Sequence, residues 1–319
     1  MSHPSTIRVV VGEIHRETPS IKRFILLPAE GSSLPAFGGG AHVTTILRTE
    51  GSVIQRPYSL CGDPHRTDSY QIAVRLRENS RGGSHYWHHR VREGTELEIG
   101  WPVNRFPLSR RAKHHVLCAA GIGITPFLSM MADLEAKGAS FELHYAAPSR
   151  SRCAFYSRIR SRYGDRCRFY FSGNGERMTP EPLLDQRIGT HLYFCGPGSM
   201  VRQFSGAAVR FGYPEKSIHW ELFSPPVVCD PEPFEVELKK SGRLLHVPKD
   251  RSLLDVLLRA GVKAPHSCRM GRCGTCAVSV LEGEVDHRDE FLTGEEKRAH
   301  HRMLTCVSRA QCEKLVLDL

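Results

Sequence analysis

No run of eighteen apolar residues occurs in the 319-residue sequence, which removes a membrane-spanning helix. The first stretch, "MSHPSTIRVVVGEIHRE", has polar residues where a secretory leader carries its apolar core, so a cytoplasmic location is expected. Internal repeats and low-complexity tracts are absent too. The dinucleotide fingerprint G-x-G-x-x-G does not appear, nor does the doubled C-x2-C pattern of structural zinc sites. A net charge of +10 raises the question of nucleic acid, but the arginines lack a stripe interleaved with stacking aromatics. No nucleic-acid partner and no membrane partner are expected. An acidic protein partner is the better use of the charge.

What is present is cysteine, eleven in all. In a cytoplasmic chain this argues against a disulfide framework and for metal or redox use of some of them. Cys118 and Cys195 lie inside strand-like runs and read as buried fillers. The length accommodates two or three domains.

Three segments follow one another. Through residues 1–107, short runs such as "TIRVVVGEI", "IKRFILLPA", "AHVTTIL", "IQRPYSLC", "SYQIAVRL" and "ELEIG" alternate with turn signals such as Gly38-Gly39-Gly40, with one brief helix near 84–91. That pattern predicts an antiparallel β-barrel. Over 108–225, "HHVLCAA", "FELHYAA", "CRFYF" and "HLYFCG" alternate with helical stretches, predicting an α/β doubly wound domain. Its first helix should run from Thr125 to about Lys137, with Phe127, Met131 and Leu134 on one face. A proline-rich linker is expected at 226–233, and a small α+β domain at 234–319. In that last domain Ser252 and Asp255 form a capping-box-like helix start.

"CRMGRCGTC", residues 268–276, gives C-x4-C-x2-C, and Cys306 follows after twenty-nine intervening residues. A [2Fe–2S] cluster needs four thiolates, and Cys268, Cys273, Cys276 and Cys306 have the plant-type ferredoxin spacing. Gly271 and Gly274 let the loop turn its N–H donors toward the sulfides. Cys312 lies outside the pattern and takes no role.

"SCRMGRCGTC…LTCVSRA" resembles the ferredoxin domain of the phthalate dioxygenase reductase family, which includes the vanillate O-demethylase reductases. The likeness covers nearly the whole chain. It implies a barrel that binds FMN in preference to FAD, a domain that binds NADH in preference to NADPH, and a β-grasp ferredoxin domain. "RPYSL" resembles the family's R-x-Y-S signature. By that resemblance Arg56 binds phosphate, Tyr58 packs on the isoalloxazine and Ser59 bonds near N5. In "SRGGS", Gly82, Gly83 and Ser84 open the short helix as an anion site for the flavin phosphate.

"AAGIGITP" resembles the family's G-G-I-G-I-T-P, with Ala120 replacing the first glycine. Gly121 and Gly123 let a pyrophosphate approach, and Thr125 contacts phosphate. "YFCGPGSM" sets Cys195 and Gly196 beside the nicotinamide, a structural cysteine being the competing reading. From "HWELF", Phe223 covers the flavin and Glu221 lies near hydride transfer, with a core phenylalanine as the rival for Phe223. In "HYWHHR", His85, His88 and His89 have helical spacing but no acidic or cysteine ligand nearby, so they read as packed or solvent-facing.

The resemblance implies a monomeric NADH-dependent reductase that serves a Rieske-type terminal oxygenase. Arg269 and Arg272 would form a basic docking rim. The competing classes are a stand-alone oxidoreductase for a small acceptor such as a quinone, and a non-enzymatic iron–sulfur sensor.

Overall fold

The computed structural model describes residues 6–31, 33–49, 52–78, 80, 82–223, 231–266 and 268–319. Two compact units divide the chain after Phe223. Of the expected linker at 226–233, residues 226–230 lie outside the described residues. Among the described residues, no helix is long and apolar enough to cross a membrane.

The first sheet contains β1 (Ile7–Thr18), β2 (Ile21–Pro28), β3 (His42–Thr49), β4 (Ser52–Ser59), β5 (Tyr70–Arg75) and β6 (Glu96–Ile99), in the order β4-β3-β6-β1-β2-β5. Its neighbours are antiparallel. A bridge from Leu60 to Ile72 joins the exit of β4 to β5 at the opposite edge, curling the sheet into the expected barrel. Period-two alternation selects the inner face: Val9 and Val11 on β1, Phe24 and Leu26 on β2. The short helix α1 (Gly83–His89) buries Trp87 against Phe24, with ring centroids 4.6 Å apart.

The second sheet contains β7 (His114–Ala120), β8 (Phe141–Ala147), β9 (Cys167–Phe171), β10 (Thr190–Gly196) and β11 (Ile218–Leu222), all parallel, in the order β11-β10-β7-β8-β9. Helices α2 (Ile124–Ala136), α3 (Tyr156–Tyr163), α4 (Glu181–Leu184) and α5 (Gly198–Arg210) lie between the strands in sequence. The path runs outward from β7 through β8 to β9, then returns to place β10 on the other side of β7. That reversal is the switch point where such sheets bind ligands.

Helix α2 forms as predicted, but every residue from Ile124 to Leu134 is buried, not one face alone. The reason is a second neighbour. A Cβ on Gly39 would stand 2.8 Å from Met130 Cα, and Gly40 N donates to Ser129 Oγ at 3.1 Å. Phe106 packs on Phe127 at 5.9 Å and on Tyr193 at 5.8 Å. Barrel and parallel sheet therefore share one core across the expected boundary at 107/108.

In the second unit, β12 (Phe234–Leu238), β13 (Arg243–Val247), helix α6 (Leu253–Arg259), β14 (Ala277–Glu282), β15 (Val285–Asp286), helix α7 (Gly294–Ala299), β16 (Arg302–Leu304), β17 (Arg309–Ala310) and β18 (Lys314–Leu317) follow in order. The main sheet reads β13-β12-β18-β14-β16, with β12 and β18 parallel, a β-grasp arrangement. Ser252 caps α6 by accepting from Asp255 N at 3.2 Å, as its sequence predicts.

The leading ends of β7, β10 and β11 carry stacked rings. His191 Nδ1 lies 2.9 Å from His219 Nε2, Tyr193 stacks on His219 at 4.4 Å, and His115 stacks on Tyr193 at 5.8 Å. Burial holds the His219 ring at about 4, and His115 and His191 also sit below the ordinary 6.5. These folded-state values lie below the unfolded one, so the stabilisation is complete above about pH 6.5 and is lost as pH falls toward 4. Urea unfolding of His219→Phe across this window should show a shallower loss than the parent, by on the order of 1 kcal/mol. Identical slopes would refute the histidine account.

Candidate functional site

Three of the four candidate cluster cysteines lie on the loop between α6 and β14, and the fourth follows β16. The β14–β16 pairing sets Ala277 opposite Leu304, which draws Cys276 and Cys306 together with sulfurs 3.2 Å apart. Cys268 and Cys273 form the other hydrogen-bonded pair. Within the pairs, the shared hydrogen bond holds Cys273 and Cys276 below the usual thiol range and Cys268 and Cys306 above it. Met270 N donates to Cys268 Sγ at 3.4 Å, an N–H of the kind such a loop directs at sulfur. Among the described residues, no three His, Cys, Asp or Glu side chains converge on one ion. Two sulfur pairs are instead what a two-iron centre requires, with two protein ligands per iron.

Arg269 does not form a docking rim. Its side chain is only 12% exposed, with Nη1 on Asp255 Oδ1 at 3.1 Å and Nη2 against His266 Nε2 at 3.3 Å. The loop bends through positive φ at this residue, and the ion pair to α6 anchors that bend. Arg272 faces Glu290 at 3.4 Å.

The outward feature of the loop is one that sequence reasoning missed. Phe291 is 43% exposed, and its ring lies against Gly274, where a Cβ would stand 2.3 Å from Phe291 Cζ. Asp289, itself buried, fixes the ring's backbone by accepting from Phe291 N at 3.2 Å and Leu292 N at 2.8 Å. In the polar run "HRDEFLTGEEK" two adjacent apolar residues give no signal by periodicity. Charge divides unevenly as well. Residues 224–319 hold 15 Lys and Arg against 15 Asp and Glu, so the +10 rests on residues 1–223, with 29 against 19.

On the barrel, β4 is an edge strand, which tolerates Pro57 within "RPYSL". Arg56 and Tyr58 project toward the start of α1, where a Cβ on Gly83 would meet Arg56 Cγ at 2.8 Å and Tyr58 Oη at 3.4 Å. The glycine thus keeps open a cradle between a cation, a phenol and a helix start. Tyr58 packs edge-on to Trp87 at 6.0 Å, and burial pushes its hydroxyl well above the ordinary value, with Arg56 opposing. Ser59, buried, ends β4 opposite His42. Ser84 accepts from Arg77 N at 3.2 Å, just past Gly82 at the helix cap. His88 is buried and bonds to Val74 O at 2.8 Å, while His85 is exposed and bonds to Arg77 O at 3.2 Å, one packed and one solvent-facing as expected.

At the switch point the candidate nicotinamide residues meet. A Cβ on Gly123 would lie 2.2 Å from Cys195 O and 2.8 Å from Gly196 N, so only glycine lets the β7–α2 loop touch the end of β10. Ala120 fills the space over Gly196, whose own Cβ would stand 3.0 Å from Ala120 Cβ. Glu221 pairs in register with the fully buried Cys195, and Phe223 packs on the shared core just beyond β11. Gly121 O accepts from Tyr145 Oη at 3.0 Å. Thr125 is buried, with its hydroxyl on Ile122 O at 3.1 Å. Arg75, exposed at the end of β5, brings a guanidinium nitrogen within 4.0 Å of the Cβ position of Gly121, a cation that the strand pattern of "IAVRL" conceals.

The family model of the 2Fe-2S iron-sulfur cluster binding domain matches residues 236–311. The heme-dependent oxidative N-demethylase beta subunit of Ectopseudomonas mendocina is 40% identical over 312 residues, 98% of each chain. The vanillate O-demethylase oxidoreductase of Acinetobacter baylyi is 37% identical over 318 residues, again 98% of each. The solved phthalate dioxygenase reductase, described as a modular structure for electron transfer from pyridine nucleotides to [2Fe-2S], superposes with a TM-score of 0.81 at 33% identity, covering 98% of both chains.

Gly123→Ala should force the two loops apart, costing about 1–3 kcal/mol of stability as overpacking does. Reduction by pyridine nucleotide should fall further than stability does. Thermal unfolding and stopped-flow bleaching of the flavin band measure the two effects, and unchanged values for both would disprove the contact.

Proposed function

The chain belongs to the family of phthalate dioxygenase reductase and the vanillate O-demethylase oxidoreductases, and on that premise we propose that it is the reductase component of an oxygenase system. It oxidises a reduced pyridine nucleotide and delivers the electrons, through a flavin and a [2Fe–2S] centre, to a separate oxygenase protein. One observation carries the reading: a switch-point dinucleotide crevice and two paired sulfur sites occur in a single chain. A sensor has no use for the first.

The finer assignments rest on the motifs and on the geometry around them. Cys268 with Cys273 would hold one iron, and Cys276 with Cys306 the other. FMN is the proposed flavin, its phosphate received by Arg56 and the α1 start at Gly82, Gly83 and Ser84. Tyr58 packs beside its ring, and Ser59 hydrogen-bonds at the N5 edge. Gly121, Gly123 and Thr125 receive the dinucleotide pyrophosphate. Cys195 and Gly196 lie beside the nicotinamide, while Glu221 and Phe223 close the site from β11. When bound, the flavin supplies the step from a two-electron donor to one-electron carriers. The protein's part is to orient the rings and keep water out.

The acceptor is proposed to be a Rieske-type oxygenase, approached by a cytoplasmic monomer. The heme-dependent N-demethylase relative marks the alternative acceptor class, and anaerobic mixing with each oxygenase tells the two apart. With Arg269 turned inward, Phe291 becomes the contact through which the acceptor docks, an aromatic anchor beside the cluster loop.

Cys306→Ser should abolish the rhombic EPR signal of the dithionite-reduced centre. Cytochrome c reduction should fall by about a hundredfold while ferricyanide reduction persists, a selective loss of one step. Equal retention with both acceptors would favour the small-acceptor enzyme, and absence of any pyridine-nucleotide oxidation the sensor. Phe291→Ala should slow electron delivery to the oxygenase by about tenfold, the effect of losing one aromatic anchor. Ferricyanide reduction serves as the control, and equal losses with both acceptors would remove the docking role.

A further inference from the structure

The loop that carries Cys268, Cys273 and Cys276 turns through positive φ at Arg269, Gly271 and Gly274. Two of these are glycine, which adopts that backbone freely. Arg269, at φ 56°, is one of three non-glycine residues with positive φ among the described residues, and its Cβ makes the bend unfavourable by itself. A contact from outside the loop has to hold it.

Helix α6 supplies that contact. Arg269 Nη1 donates to Asp255 Oδ1 at 3.1 Å, and Asp255 Oδ2 accepts from Ser252 Oγ at 2.8 Å, so the carboxylate is itself fixed. His266 Nδ1 lies 2.9 Å from Ala264 O and must donate there, which leaves Nε2 to accept from Arg269 Nη2 at 3.3 Å. The same turn of α6 reaches the other arm of the site. Leu254 N donates to Thr305 O at 2.9 Å, and Thr305 N and Oγ1 each donate to Cys276 O at 3.2 Å. Two adjacent residues of one helix thus hold the residue after Cys268 and the residue before Cys306.

What the bend directs is a row of donors. Met270 N donates to Cys268 Sγ at 3.4 Å, the N–H of Arg272 faces the same sulfur, and that of Gly271 faces Cys306. Three successive N–H groups after Arg269 therefore meet one sulfur from each cysteine pair. A centre bound there takes one electron from the reduced flavin and yields it to the oxygenase, so one unit of negative charge comes and goes at these sulfurs. N–H donors favour the more negative, reduced form and so raise the reduction potential.

We propose that Asp255 is a positioning residue for electron transfer: it holds Arg269 in the left-handed bend, and the bend sets the reduction potential by aiming the N–H groups of residues 270–272 at Cys268 and Cys306. The proposal rests on the reading that the four cysteines hold a [2Fe–2S] centre. Its sign is opposite to that of charge alone. A carboxylate opposes added negative charge, so deleting it would raise the potential by Coulomb's law. Releasing the bend lowers it instead.

EPR-monitored redox titration of the full-length, cofactor-loaded protein measures the effect. Asp255→Ala keeps the α6 cap, because Ser252 accepts from the backbone N–H of residue 255. Its reduced-to-oxidised ratio at a fixed potential should fall about tenfold, equivalent to about 59 mV for one electron, as when a hydrogen bond to a charged group is lost. Two double variants remove the ion pair whole and differ only in backbone freedom. Asp255→Ala/Arg269→Ala should stay low, while Asp255→Ala/Arg269→Gly should return to the parent value, since glycine takes positive φ unaided. Equal potentials in the two doubles, or a rise in the single variant, would overturn the inference. If Asp255→Ala loses its iron, the glycine double decides: iron retained at the parent potential upholds the bend, and iron lost from it refutes the bend. A parent protein without a rhombic signal sinks the two-iron reading itself, whereas a normal signal at unmoved potentials sinks this inference alone.

Discussion

A single backbone contact, Gly123 against the carbonyl of Cys195, sets the geometry of the crevice proposed for the nicotinamide. Two strands that are distant in sequence end side by side, and the loop leaving one must touch the backbone leaving the other. Any side chain at residue 123 would widen the crevice that a dinucleotide has to bridge. The same stretch begins α2, and α2 is clamped again by Gly39 and Gly40 of the barrel. Strain at the crevice would therefore travel along a helix with no free face, and packed interiors transmit such strain instead of absorbing it.

Much of this organisation was legible in the chain. Period-two runs marked the barrel strands, buried runs with helices between them marked the parallel sheet, and cysteine spacing marked the cluster loop, because each depends on local order. The reach of α2 was not legible. Phe127, Met131 and Leu134 show one stripe, while the burial of Ser129 and Asp133 depends on a barrel loop ninety residues earlier. Arg269 misled for the same reason, since its partner Asp255 sits on another helix and sequence registers only that an arginine stands in a glycine-rich loop.

Residues absent from the sequence reading share a feature. Phe291 lies in a loop and Arg75 at the end of β5, where periodicity carries no information, and Phe291 gains its meaning from a glycine elsewhere in the chain. Gly274 was chosen for the turn it permits, yet its missing side chain is also what admits the Phe291 ring. Close approach across space is the part of glycine's role that no single chain segment reveals.

The division of charge has a kinetic consequence. Residues 1–223 carry the entire excess of ten positive charges, and residues 224–319 carry none. Long-range attraction of an anionic dinucleotide is therefore built into one unit, and it weakens as counterions shorten the Debye length from about 30 Å in dilute buffer to about 8 Å at physiological strength. The electrically balanced iron–sulfur unit offers no such lever to dissolved salt. Fuel uptake thus answers to the ionic content of the surrounding solution through a net charge that the iron–sulfur unit lacks.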